Sequence, residues 1–245
     1  MAVLTRRLFL ALGATALVTY RSFGEKGDAV SLPHDLDHIL LGVSDLNHGI
    51  DWFEERSGLR APLAGVHPGR GTHNALLSFG SRRYLEIIAP DPAQSGSRIA
   101  VPSAAAQVAR LRTLKEPRLA NWAARTDDIA AVAKKVAAAG LKFSGPWEGS
   151  RARPDGKILR WKTLHLEGDF DGILPFFIEW ARDSVHPSED APAGCQIQSF
   201  RAETPQAPQV TLAARTLGVD LSVTTSTATQ LLARITGAKG EFELH

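Results

Sequence analysis

The order of apolar and polar residues between positions 36 and 90 predicts one strand, one helix and three further strands. Asp37–Val43 is an apolar run of strand length. The apolar residues that follow it are spaced i, i+4 and i+7, as on one face of a helix: Leu46, Ile50 and Phe53. Gly58 stands where a glycine ends a helix. Beyond a loop rich in glycine and proline, Asn74–Phe79 and Arg83–Ile88 alternate like strands on either side of a turn.

The same pattern returns 82 residues later in the chain. Residues 43–59 align without a gap with residues 125–141, and both stretches have a capping Asp and a Gly-Leu end. RYLEI at 83–87 corresponds to FFIEW at 176–180, which sets Glu86 opposite Glu179. The chain therefore contains two βαβββ modules, 36–90 and 118–183. We expect the modules to pair, because neither can bury both faces of its sheet alone.

Alternation along the predicted strands gives the first module a chemical face. His38 alternates with Ile39 in the first strand, and Glu86 alternates with Leu85 in the last one. If the helix covers Ile39 and Leu85, then His38 and Glu86 share the opposite, concave side. A carboxylate inside YLEII is costly to bury without a partner. We interpret the pair as functional, and the structural alternative is a buried His–Glu ion pair.

These joined motifs resemble the vicinal-oxygen-chelate superfamily of glyoxalases, extradiol dioxygenases and bleomycin-resistance proteins, and within it the glyoxalase-like domain group. The resemblance covers residues 36 to about 188 and rests on LDHILLGV, GVHPGRGTHNALLSFG, YLEIIAPDP, PRLANWAARTDDI, RPDGKILRW and PFFIEW followed by HPS. It implies an α+β fold whose paired modules form an open half-barrel cavity, with the domain at residues 31–183. It also implies a divalent metal ion (Zn, Ni, Fe or Mn) on the cavity floor.

Carried over residue by residue, the resemblance places metal ligands at His38, Glu86 and Glu179. The fourth position is Ala120, which departs from the glyoxalase pattern. Asn121 would replace it only if the strand register slips by one, and asparagine is a poor substitute for imidazole on these metals.

A further histidine ligand is expected near the start of the third strand. His73 is the predicted one and His67 is the alternative; His38, His73 and Glu86 would form the two-histidine, one-carboxylate set that suits iron or manganese. His165 occupies roughly the place of His73 in the second module. For His67 and His73 the structural alternative is a hydrogen-bonded loop histidine.

The implied function is that of a metal-dependent isomerase, lyase or dioxygenase acting on a small oxygenated molecule. Glu179 or Glu86, whichever is free of the metal, would shuttle the proton. The alternative is a metal-free binder of small ligands, favoured by the Ala120 departure, and a third is a cavity filled by its own side chains. The candidate substrate contacts are Arg70, Asn74, Trp122, Arg151, Arg153 and Trp161. Solvated arginines and core tryptophans are the structural alternatives.

The two ends of the chain are expected to lie outside the paired modules. In residues 1–30, Arg6 and Arg7 precede an apolar stretch too short to span a bilayer, and TRRLFL resembles the twin-arginine export signal. An ordinary secretory signal or an uncleaved anchor is the alternative. We therefore expect a periplasmic or extracellular protein that meets a membrane only through this signal. Residues 184–245 are expected to form a small α+β extension or a shortened third module.

Composition narrows the expected partners. Removing residues 1–30 takes away four basic and two acidic residues and leaves 24 of each. A neutral chain lacks the clustered Lys and Arg that nucleic-acid binding requires. The single cysteine, Cys195, excludes an internal disulfide and a thiolate zinc site. A small molecule is the expected partner.

Overall fold

A computed structural model describes residues 32–99, 101–153 and 156–245, so the predicted export signal at residues 1–30 lies outside the described residues. The first module comprises β1 (Leu36–Gly42), α1 (Leu46–Ser57), β2 (Leu63–His67), β3 (Thr72–Gly80) and β4 (Arg83–Pro90). A linking helix and the second module follow: α2 (Pro102–Arg112), β5 (Arg118–Arg125), α3 (Ile129–Ala138), β6 (Phe143–Ala152), β7 (Ile158–Leu166) and β8 (Phe176–Trp180). The C-terminal elements are α4 (Pro187–Asp190), β9 (Gln196–Thr204), α5 (Ala207–Leu217), β10 (Ser222–Thr225), β11 (Gln230–Gly237) and β12 (Gly240–Leu244).

Eight strands form one curled sheet in the order β2-β3-β4-β1-β5-β8-β7-β6. Within each module the first strand lies parallel to the last one, β1 beside β4 and β5 beside β8. The modules meet where β1 and β5 pair in antiparallel fashion. The second half of the strand order therefore mirrors the first. This arrangement confirms the predicted α+β fold of paired modules in a half-barrel.

The main hydrophobic core lies on the outer face of this sheet. Ile39 and Leu85 point to that face, as their alternation predicts, and pack with Ile50 and Phe53 of α1. Helix α1 lies against β3 and β4, and α3 lies against β6, β7 and β8. Since both helices cover the outer face, the concave face is left for the polar side chains of β1 and β4.

The helices of the two modules start at capping Asp residues, as predicted. Asp45 and Asp128 each accept a backbone N–H of the first turn, at 2.8 and 2.9 Å. Helix α2, which links the two modules, begins at Pro102, a residue that suits the first helical position. Ser103 therefore lies inside the helix. Within the described ranges, no helix is long and apolar enough to cross a membrane.

The C-terminal extension forms a second sheet, in the order β10-β9-β11-β12, against the outer face of the first. The contact centres on Trp122 of β5, whose ring meets Phe200 of β9 edge-on with centroids 5.4 Å apart. The extension repeats the order βαβββ, yet β9 pairs with β10 and β11, whereas β1 pairs with β4. It is thus an α+β unit with its own strand pairing and differs from the two modules.

Candidate functional site

The concave face of the eight-stranded sheet encloses a cavity of about 360 Å³, a volume typical of small-molecule sites. Strands β1, β3 and β4 contribute much of its polar wall, and residues of α2, β2, β5, β6, β7 and β8 complete it. The apolar part of the wall includes Leu40, Ile88, Leu111, Phe176 and Ile178. The cavity thus combines a polar floor with an apolar side.

His38 lies on β1 and faces the cavity floor with 3% of its surface exposed. Its Nδ1 lies 2.7 Å from Oδ1 of Asp37. Because a carboxylate only accepts hydrogen bonds, Nδ1 carries the proton, and Nε2 faces Oε2 of Glu86 at 3.5 Å. The imidazole is stacked on Tyr84 with ring centroids 4.4 Å apart. The ring is therefore fixed, with one basic nitrogen directed at the cavity.

Asp37 is fully buried and receives hydrogen bonds from three rings. Besides His38, Nε2 of His186 lies 3.1 Å and Nε1 of Trp180 3.2 Å from Oδ2. Nδ1 of His186 accepts the backbone N–H of Ser188 at 3.2 Å, which leaves its Nε2–H to donate to Asp37. Burial by itself would raise the pKa of Asp37, but the hydrogen bonds from His186 and His38 hold this pKa well below its usual value. The carboxylate is ionised.

A β-bulge in β1 brings Asp37 to these partners. The register between β1 and β5 shifts between Leu36 and His38, which leaves Asp37 as the additional residue. Sequence reasoning missed Asp37, although the cost of burying a carboxylate applies to it as it does to Glu86. Trp180 and His186 belong to the motif PFFIEW followed by HPS, but no local pattern indicates that they contact Asp37, from which they are separated by 143 and 149 residues.

Glu86 of β4 is the centre of a second polar group. The side-chain amide of Asn74 donates to Oε1 of Glu86 at 2.7 Å, and Nε2 of His67 lies 3.7 Å from the same oxygen. Nδ1 of His67 is 2.8 Å from Oγ1 of Thr72, and the Asn74 amide lies 3.2 Å from Nε2. Burial lowers the pKa of His67 to about 4, so the ring is neutral at pH 7 and accepts at Nε2.

Two arginines bring positive charge to the cavity. Arg151 of β6 is 6% exposed and donates to the backbone carbonyl of Ala64. Nη2 of Arg70 lies 3.4 Å from Oγ1 of Thr163. Burial lowers the pKa of both arginines, and the negative charge of Glu86 opposes this effect. A guanidinium stays protonated at neutral pH, so the cavity offers two cations to an anionic ligand.

The structure brings together most of the candidate residues from the sequence. His38, Glu86, Asn74, Arg70, Arg151 and Trp161 all line the one cavity. Their placement agrees with the expected concave face, and their functional roles stay predictions. His67, the alternative to His73, also lines it.

Two predicted metal ligands point away from this cavity, and their predicted placement is wrong. Phe176 and Ile178 of β8 line the cavity, so Glu179 faces the other side, where its carboxylate accepts the backbone N–H of Ile129 at 2.6 Å. Glu179 therefore caps α3. His73 precedes Asn74 on β3, and because Asn74 faces the cavity, His73 lies on the outer face.

Two predicted substrate contacts also have other surroundings. Trp122 is fully buried in the core on the outer face, where its indole N–H donates to the carbonyl of Ile173 at 2.7 Å. Arg153 forms an ion pair with Asp190 of α4, with 2.5 Å between Nη1 and Oδ2. Neither side chain lines the cavity, so both predictions are wrong in placement.

The residues present do not fit the metal site that the resemblance implies. Ala120 has no donor atom and Glu179 caps α3, so only the two positions of the first module remain. His67 lies close to Glu86, but both accept hydrogen bonds from the Asn74 amide. Across residues 32–99, 101–153 and 156–245, no group of three or more His, Cys, Asp or Glu is spaced to hold a metal ion.

Comparisons with known proteins concern the fold. A family model described as a glyoxalase-like domain matches residues 36–218. Among solved structures, a hypothetical protein from Staphylococcus aureus is similar with a TM-score of 0.63 and 15% identity, over 80% of this chain and 87% of that one. Methylmalonyl-CoA epimerase from Mycobacterium tuberculosis has a TM-score of 0.40 and 21% identity, over 61% of this chain and 89% of that one. The Streptomyces coelicolor epimerase in complex with 2-nitronate-propionyl-CoA has a TM-score of 0.44 and 20% identity, over 62% and 97%. No curated protein matches the chain.

Proposed function

Because the chain belongs to the glyoxalase-like domain family, we propose that its half-barrel cavity is the active site of an enzyme acting on a small, negatively charged, oxygenated molecule. We propose that the reaction is a proton transfer at a carbon next to a carbonyl group, with His38 as the base. The observation that carries this proposal is the line of Asp37, His38 and Glu86 at the cavity floor. Family membership alone does not specify a reaction, since one fold hosts many.

His38 is suited to take up a proton at Nε2. Its Nδ1–H is held by Asp37, so the lone pair of Nε2 stays directed at the cavity. The imidazolium formed by protonation would lie between the carboxylates of Asp37 and Glu86, which stabilise it. Glu86 is 3.5 Å from Nε2 and is therefore the group that can receive the proton or return it to the substrate.

Arg70 and Arg151 are suited to hold the charge that develops on the substrate. Removal of a proton next to a carbonyl group places negative charge on the carbonyl oxygen. Fixed cations in a buried site stabilise such an oxyanion without reorganisation at the moment of reaction. Asn74 donates to Oε1 of Glu86, and Oε2 of the same carboxylate lies 3.5 Å from Nε2 of His38, so Glu86 stays in reach of the base.

Deuterium exchange tests the proposed proton transfer without knowledge of the natural substrate. Pyruvate and 2-oxobutanoate would be incubated with the protein in D2O, and loss of the hydrogens next to the carbonyl group followed by NMR. We expect His38→Gln to lower the exchange rate about 100-fold or more, because it removes the base. The matched control is His34→Gln, since exposed His34 makes the same 2.7 Å contact with Asp35. No exchange by the wild type, or equal exchange by His38→Gln, would contradict the proposal.

The second candidate is a protein that binds a small ligand and leaves it unchanged. It is favoured by Ala120, which supplies no donor at the fourth position of the implied metal site, and by Asn74, which engages both Glu86 and His67. Calorimetric titration with the same two acids separates the candidates. Binding that depends on Arg70 without any deuterium uptake would favour the binder.

We further propose that residues 1–30 direct export through the twin-arginine route. A reporter fused to this segment should leave the cytoplasm, and the double change Arg6→Lys and Arg7→Lys should block its export, because the route requires the arginine pair. The measurement is the fraction of reporter outside the cytoplasm. Because lysine keeps the positive charge, the double change removes only the guanidinium groups, and Arg21→Lys, outside the arginine pair, is the matched control. Undiminished export of the Lys pair would indicate an ordinary secretory route.

A further inference from the structure

Three buried polar atoms of the cavity wall have no hydrogen-bond partner among the residues that the structure describes. They are Oδ1 of Asn74, Oγ of Ser103 and Nε2 of His165. Buried polar atoms in folded proteins are nearly always paired. Ordered water or a bound ligand supplies the partner of such an atom, so these three atoms are positions where a ligand in the cavity can form hydrogen bonds.

His165 lies one ring away from the proposed base. Its imidazole is stacked on Phe176 with centroids 5.0 Å apart and an interplanar angle of 15°. Phe176 in turn meets His38 at 5.6 Å between centroids. Because a single aromatic ring separates the two histidines, one small molecule in the cavity can contact both. His165 takes no part in the proton transfer described above.

The unpaired atoms of His165 and Ser103 suit an uncharged oxygen of the ligand, because neither side chain brings a charge to this part of the wall. Burial, together with the charge of Arg70, lowers the pKa of His165 to about 4, so the imidazole is neutral at pH 7. A neutral imidazole donates at one nitrogen and accepts at the other, and the hydroxyl of Ser103 does both. Hydroxyl and carbonyl oxygens are the ligand groups that complement such partners.

Arg70 provides the charged contact of the same ligand. Its guanidinium reaches Oγ1 of Thr163, which lies two residues before His165 on the same face of β7. Residues two apart on one face of a strand lie roughly 7 Å from each other. An anionic group at Arg70 and a neutral oxygen at His165 therefore belong to two ends of a short molecule. The apolar side chains of Phe176 and Ile88 suit the carbon atoms between them.

We propose that the cavity binds a short carboxylate that also carries a neutral hydroxyl or carbonyl oxygen, with Arg70 holding the carboxylate and with His165 and Ser103 holding the neutral oxygen. This proposal rests on the proposed function only in placing the ligand in the same cavity. It specifies the substrate as a hydroxy or oxo acid. It also assigns substrate specificity to His165 and Ser103, which take no part in the proton transfer.

Matched ligand pairs test the proposal. The probes are ω-hydroxy carboxylates of three to six carbons and the carboxylates in which a methyl group replaces the hydroxyl, for example 4-hydroxybutanoate and pentanoate. The measured quantity is the ratio of the two dissociation constants for each length, obtained by calorimetry on the full chain. We expect the wild type to prefer the hydroxy acid of best-fitting length about tenfold, as for one gained hydrogen bond to an otherwise unpaired group.

His165→Phe removes Nε2 and retains an aromatic ring against Phe176. We expect this variant to bring the ratio of the two dissociation constants close to one. The dissociation constant of the methyl compound should stay within about twofold of the wild-type value. Ser103→Ala, on α2, should lower the ratio a few-fold. Arg70→Gln should weaken both ligands of a pair about tenfold or more and leave the ratio intact. The matched control is His73→Phe, on the outer face of the same sheet, which should change nothing.

Two results would overturn the proposal: a wild-type ratio near one at every length, or a ratio that His165→Phe leaves unchanged. Absence of binding by every probe would also overturn the proposal. These results are independent of the deuterium exchange that tests the proposed function. A preserved ratio without exchange would reject the proton transfer and keep the binding site, whereas exchange without a preference would reject the binding site alone.

Discussion

Replacing Asp37 by Asn is expected to lower the free energy of unfolding by about 3–5 kcal/mol, as for removal of one partner from a buried charged group. The carboxylate accepts from the rings of His38, His186 and Trp180. An amide has one acceptor oxygen, and its NH2 group would face one of these N–H donors. At least one buried donor would therefore lose its partner, which is the costly outcome for a buried polar group.

The same change is expected to affect His38 chemically. Without an ionised carboxylate at Nδ1, the ring can place its proton on Nε2 instead, and Nε2 is then unable to accept the substrate proton. We expect the deuterium-exchange rate to fall about 100-fold, with little change in ligand binding. Urea unfolding and the exchange assay measure the two effects separately.

Asp35→Asn is the matched control for Asp37→Asn. Asp35 makes the same 2.7 Å contact with a neighbouring histidine, His34, but both side chains are largely exposed. An exposed pair contributes about 0–1 kcal/mol, so this variant should unfold almost like the wild type. If Asp35→Asn lowered the free energy of unfolding as much as Asp37→Asn, then neither the burial of Asp37 nor its contacts with His186 and Trp180 would contribute to stability.

The fold was predictable from the sequence because its main signal is repeated. The 82-residue offset identifies two modules, and the alternation in β1 and β4 places His38 and Glu86 on the concave face, where they lie. Alternation is reliable here because the side-chain period of a strand is two and one face must be buried. The pairing of β1 with β5 follows from two half-sheets that each need a neighbour.

The predicted metal-ligand position in the second module was wrong for a related reason. Matching FFIEW to RYLEI letter by letter sets Glu179 against Glu86, but Phe176 and Ile178 are the residues of β8 that face the cavity. An error of one residue in a strand alignment moves a side chain to the opposite face. The acidic residue then meets the N-terminus of α3 instead of the cavity.

The prediction for β3 contained a contradiction that the sequence alone exposes. Asn74 was expected to contact the substrate and His73 to bind the metal, yet consecutive residues of a strand point to opposite faces. Only Asn74 faces the cavity, and His67, on the neighbouring strand, supplies the imidazole. Contacts such as that of His186 with Asp37 depend on chain segments about 150 residues apart, for which no local pattern exists.

Acidification from pH 6.5 to pH 4 is expected to remove several kcal/mol of unfolding free energy. Burial lowers the pKa of His67 and of His165 from 6.5 to about 4. Between these values the unfolded chain has taken up protons that the folded protein has not, so the free energy of unfolding falls as the pH falls. Each histidine contributes up to about 3 kcal/mol, at 1.36 kcal/mol for each unit of pKa.

Protonation of Asp37 lowers the free energy of unfolding in a different pH range. The pKa of Asp37 lies well below its ordinary value of 3.8. The stability that the ionised carboxylate contributes is therefore fully present above pH 3.8 and is lost only as the pH falls further. A titration that separates the range from 6.5 to 4 from the range below 4 therefore distinguishes the two histidines from the carboxylate.

Urea unfolding at pH 7.5, 5.5 and 4.5 measures the histidine contribution. His165→Phe removes one of the two titrating rings while an aromatic side chain still covers Phe176, so the loss of unfolding free energy across this range should shrink by about half. His34→Gln, the matched control for replacing a histidine, should leave the loss unchanged, because the His34 side chain is 87% exposed and contributes little to folding. If the free energy of unfolding of His165→Phe falls between pH 7.5 and pH 4.5 as much as that of the wild type, then His165 takes up its proton in the folded protein as easily as in the unfolded chain. That outcome would also remove the reason for assigning an uncharged ligand group to this end of the cavity.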